Sequence, residues 1–181
     1  MDEKAVLLSI QPRWCDLIAS GEKTIEVRKT RPKIETPFKC YIYQSRDKGR
    51  LIDVLKDGDE NYGEIYHGKP VFIKGINRDV NSCLFGREQK IIGEFVCDEI
   101  IDVDCDSIAP FDKITGNYVD KQCRLSREEL WKYTGGFCAY GWHISELKIY
   151  NDQPKALSAF GLKRPPQSWR YVEVEHDPNR P

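Results

Sequence analysis

AVLLSIQPRWCDLIASGEKTIEVRK occupies residues 5–29, and how it divides into elements decides the fold. Residues 5–10 are a short apolar run, the length of a buried strand. Pro12 then suits the first turn of a helix and Gly21 its end. Between them Trp14, Leu17 and Ile18 fall at i, i+3 and i+4, one apolar stripe. Residues 21–29, GEKTIEVRK, hold five ionisable side chains and two large apolar ones. Side chains alternate along a strand, so Ile25 and Val27 share the core face, while Thr24, Glu26 and Arg28 share the other. Lys23 has the parity of Ile25 but lies at the helix-to-strand turn. The charged face has two readings. Glu26 and Arg28 form an exposed ion pair worth at most about 1 kcal/mol, or Lys23, Glu26 and Arg28 line a cleft.

Further strands are expected at 38–44, 70–76, 90–103, 140–150 and 170–175, rich in Val, Ile, Phe and Tyr and separated by Gly, Asn, Asp and Pro. In LSREELWKYTGG, Ser126 and Glu129 have capping-box spacing, Leu125 and Leu130 suit a hydrophobic staple, and Gly135 and Gly136 end the helix. A helical turn is expected at PKALSAFG, from Pro154 to Gly161. Residues 46–68 read as a polar insertion with one weakly amphipathic piece at 51–55. Strands and helices do not alternate as βαβ units. The expectation is an α+β fold with a mostly antiparallel, barrel-like sheet in a single domain over 1–181.

The 181 residues carry a net charge of -1, and their pI is about 6.3. Proteins that coat duplex nucleic acid through overall charge are strongly basic, so any nucleic-acid contact here is local. Seven cysteines form no C-x-x-C pair, which points to structural thiols in a reduced, cytoplasmic setting. No signal-peptide pattern precedes the first apolar run, and no stretch reaches the roughly 20 apolar residues that span a bilayer. No membrane partner is expected. His67, His143 and His176 lack metal-ligand spacing, and neither a phosphate-binding glycine loop nor a zincin motif is present, so no metal and no cofactor is implied.

SGEKTIEVRK resembles the G-x-K-x-x-E-x-R signature of ASCH domains, through Gly21, Lys23, Glu26 and Arg28. The stretches LLSIQPRWCDLIASG, IIGEFVCDEI, YGWHISELKIY and RPPQSWRYVE are similar to bacterial and phage-borne members, and together they span residues 6–173. The resemblance implies a PUA-like fold, a small β-barrel with flanking helices and a cleft facing nucleic acid. It also implies an RNA-linked function. Some members remove an acyl group from modified cytidine, and some cleave RNA. The amidohydrolase members carry a nucleophilic Thr three residues after the Lys, where this chain has Glu26; Thr24 is out of register. Their second acid has three candidates here, Glu94, Glu99 and Asp120.

Two functions follow. The first is recognition of a nucleotide or single-stranded RNA, with Arg28, Arg31, Gln167, Ser168 and Trp169 in contact with it. Arg offers a planar fork for phosphate or a base edge, Gln can read a base edge, and Trp169 either stacks on a base or plugs the end of the barrel. Pro165 and Pro166 stiffen the approach to that loop. The second is a hydrolase, acting on RNA or on an acylated cytidine, with Lys23 and Glu26 at its centre and Glu26 as general base.

Overall fold

The computed structural model describes residues 4–46, 50–55, 71–75, 81–103 and 119–173. Residues 56–68 of the polar insertion lie outside them, as do Cys105, His67 and His176. Ten strands and three helices are described: β1 Lys4–Ile10, α1 Pro12–Ala19, β2 Ile25–Arg28, β3 Phe38–Gln44, β4 Arg50–Leu55, β5 Val71–Gly75, β6 Lys90–Cys97, β7 Ile100–Val103, α2 Val119–Cys123, α3 Arg127–Thr134, β8 Ala139–His143, β9 Ser145–Ile149 and β10 Trp169–Glu173, with a 3₁₀ turn at Leu157–Phe160.

A five-stranded sheet runs β10-β1-β3-β6-β9, a three-stranded sheet β2-β8-β7, and β4 pairs with β5. β1 is parallel to β3, with α1 and β2 in the connection that a parallel pair requires; the other pairings are antiparallel. The architecture is mixed α+β. Among the described residues no ladder joins the sheets, so the expected barrel is an open arrangement of separate sheets. The two larger sheets pack together instead. One core cluster takes Val6, Leu8, Ile42, Ile92 and Phe95 from the first and Trp142 from the second.

Two expected long strands are each divided. The run at 90–103 breaks at Asp98 and Glu99 into β6 and β7, and the run at 140–150 breaks at Ile144 into β8 and β9. Each break moves the chain from one sheet to the other. The weakly amphipathic piece at 51–55 lies in β4, paired with β5. α2, a helix of five residues, carries no local signal in the sequence. The capping box holds: Ser126 Oγ accepts from the Glu129 amide at 3.1 Å, and the Ser126 amide donates to Glu129 Oε2 at 2.9 Å. Gly135 ends α3 in the left-handed region at φ 73°.

β2 is buried on both faces. Ile25 and Val27 pack with Val103, Cys123 and Ala139. The close approach needs Gly141, where a Cβ would stand 2.9 Å from Ile25 Cγ2. Glu26 and Arg28 take the opposite face, as alternation requires, but each is only 6% exposed. The solvent-exposed ion pair is therefore excluded.

Candidate nucleotide-binding cleft

Lys23 reaches Glu26 because of how α1 ends. Its amide donates to Leu17 O at 2.9 Å, and Gly21 at φ 77° turns the chain into β2. The Lys23 side chain is 2% exposed. Nζ donates to Ile25 O at 2.8 Å and to Cys123 O at 2.6 Å, and lies 3.3 Å from Glu26 Oε2. An ammonium has three donors, and these are three acceptors. The Trp14 ring lies beneath Nζ, with its centroid 5.3 Å away, a cation–π contact. Lys23 thus ties the end of α1 and the start of β2 to α2. The Thr24 amide, donating to Gln122 O, adds to that joint.

Glu26 has a cation on each oxygen. Arg28 Nη2 stands 3.0 Å from Oε1, opposite Lys23 on Oε2. The same Nη2 donates to Ser9 O at 2.9 Å, and Nη1 approaches Ser168 O and Oγ at 3.4 and 3.3 Å. Ser9 completes the knot: its amide donates to Ser168 O and its hydroxyl to Pro166 O. One guanidinium therefore holds β1, β2 and the Pro-Pro-Gln-Ser loop together. Arg28 Nε is buried without a partner.

A cavity of about 1180 Å³ opens over this cluster. Lys23, Glu26, Arg28, Gln167 and Ser168 all line it, as do Pro165 and Pro166. Glu129, Lys132 and Tyr133 line it from α3, at the i, i+3, i+4 spacing that puts three side chains on one helix face. That spacing was readable in the sequence. Arg13, Lys29, Arg46 and Gln89 also contribute; Lys29 follows directly on Arg28 in the sequence, whereas only the folded arrangement identifies the other three. Six cations (Arg13, Lys23, Arg28, Lys29, Arg46, Lys132) face two carboxylates (Glu26, Glu129), a local charge of +4 in a chain of net charge -1. Burial raises the Tyr133 phenol above its ordinary range; Arg28 opposes that rise and Glu26 adds to it.

Trp169 does not line the cavity. It begins β10 and packs on the core, 5.9 Å from the Trp142 ring and 5.5 Å from Tyr171, and its indole donates to Thr30 Oγ1 at 2.9 Å. Arg31 lies outside the lining too, over the Tyr140 ring at 5.4 Å. Glu94 is taken up by Tyr150 at 2.6 Å and Lys39 at 3.2 Å. Burial alone would raise its carboxyl, but these partners hold it below the ordinary value. Glu99 stands between β6 and β7, with Oε2 buried and unpartnered. Neither Glu94 nor Glu99 lines the cleft. Asp120 belongs to α2, but its side chain is not among those described. His143 pairs with Asp98 at 2.7 Å, and neither lines the cleft. Among the described residues no group of three metal-ligating side chains occurs, and no helix is long and apolar enough to cross a membrane.

This cluster sits inside the stretch that identifies the chain. Residues 8–104 match the family model of the ASCH domain, and the chain belongs to that family. Among solved structures it is similar to ASCH from Zymomonas mobilis, with 17% identity over 94% of this chain and 88% of that one and a TM-score of 0.57. A serine-to-alanine variant of that protein gives 17% identity, 96% and 91% coverage, and a TM-score of 0.58. At this identity the likeness is one of fold. No curated protein matches the chain.

Proposed function

We propose that the cleft binds a nucleotide or single-stranded RNA, through cations gathered around the Lys23–Glu26–Arg28 cluster. The observation that carries this reading is the local charge of +4 in a chain whose overall charge is slightly negative. A cleft of one sign concentrates ligands of the other, and the phosphate backbone is where most nucleic-acid affinity arises. In this reading Lys29, Arg46 and Lys132 meet phosphate. Gln167, exposed on a loop fixed by Arg28 and Ser9, meets a base edge. Lys23 and Glu26 act as positioning residues. The whole chain works as one domain. Its setting is cytoplasmic, consistent with six described cysteines held as thiols; burial pushes the Cys97 thiol up to about 12.

Hydrolysis of RNA or of an acylated cytidine is the second reading, with Glu26 as base. We place it second because both Glu26 oxygens are already engaged by cations. Turnover of either substrate by the wild-type chain would reverse that order.

The test of binding is calorimetric titration with ribonucleoside monophosphates at fixed salt. Lys132 is exposed, so Lys132→Glu changes the field without touching the core. Reversing one charge at contact distance in water is worth about 2 kcal/mol. The expected result is about tenfold weaker binding or more, with an unchanged unfolding midpoint. Unaltered affinity would count against the phosphate assignment.

A further inference from the structure

The cleft continues onto an outer strip, and we propose that this strip carries the next nucleotides of a single-stranded RNA, so that the ligand is a strand and not a free nucleoside. The inference rests on the cleft reading above and specifies its ligand. Two observations carry it. The first is size: about 1180 Å³ exceeds the roughly 300–1000 Å³ of typical small-molecule sites.

The second is the loop that leaves β2. β2 pairs with β8 so that Arg28 faces Tyr140. Lys29 to Arg31 follow directly on that pair, and Phe137 lies three residues before Tyr140 in the segment that leads into β8. Cations and aromatic rings meet along this edge. Lys29 Nζ lies 5.3 Å from the Tyr133 ring centroid, and the Arg31 guanidinium lies 5.4 Å from that of Tyr140. Phe137 is 76% exposed. Trp169 pins Thr30 at the middle of the loop, which fixes the edge. Lys29 and Tyr133 also line the cleft, so cleft and strip share a border.

A positive track interleaved with aromatic rings is the pattern that takes single-stranded nucleic acid: cations follow the backbone, and rings stack on bases of any sequence. The positive charge of this edge matches a phosphate chain. An uncharged peptide would leave Lys29 and Arg31 without counter-charge.

The experiment compares ribonucleoside monophosphates with a mixed-sequence RNA octamer by titration calorimetry, on the full chain and on Phe137→Ala and Arg31→Ala. The octamer is expected to bind at least about tenfold tighter than the best monophosphate. Phe137→Ala should weaken octamer binding about fivefold or more and leave monophosphate binding within about twofold. Arg31→Ala should lower the salt slope of octamer binding by about 0.7. An octamer no tighter than the monophosphate, or an octamer affinity indifferent to Phe137→Ala, overturns the strip and leaves the cleft reading standing. Binding of neither ligand overturns both.

Discussion

Glu26→Gln is expected to lower stability by about 3–5 kcal/mol, which for a domain of this size moves the thermal midpoint down by about 6–20 °C. Among the described residues Glu26 is the only carboxylate in contact with two buried cations, Lys23 at 3.3 Å and Arg28 at 3.0 Å. Their side chains are 2% and 7% exposed. Glutamine preserves shape and leaves those like charges facing each other with little water to screen them. The cost is the desolvated charge left behind, not the worth of one hydrogen bond. Urea or thermal unfolding of the variant checks it. A loss below about 1 kcal/mol is what a surface ion pair would give, and would contradict the burial of the cluster.

Lys23→Met should cost about 2–5 kcal/mol for a different reason. Met fills similar space without donors. Ile25 O and Cys123 O each lose a partner, and an unsatisfied buried acceptor costs about 1–3 kcal/mol. Glu26 keeps Arg28, so the remaining pair is electrically balanced. The two substitutions therefore couple: the double variant should be less destabilised than the sum of the singles by about 0.5–3 kcal/mol. A folded, undisturbed Lys23→Met protein would deny Lys23 its role in joining α2 to β2.

The strand-helix-strand opening was legible because each piece carries its own local signal: an apolar run, Pro12 and Gly21 around one stripe, then alternation in GEKTIEVRK. The capping box of α3 was legible for the same reason. What escaped depends on partners far along the chain. Nothing local marks Ile144, or Asp98 with Glu99, as the points where the chain changes sheets, since the residues on both sides suit a strand. Lys23 meets Cys123, a hundred residues away, and α2 is a five-residue helix too short to declare a period. Trp169 adjoins Gln167 and Ser168 in sequence but not in role. β10 begins at Trp169 itself, and there the loop hands over to a strand that packs on Trp142.

If ligands enter the cleft over Glu26 and Arg28, amide chemical shifts measured during a titration with ribonucleoside monophosphate will report it. Saturable shifts are expected at the amides of Lys29, Lys132, Gln167 and Ser168, which border the cavity. Shifts that leave these four unmoved and gather elsewhere, for example around Asp98 and His143, would contradict it.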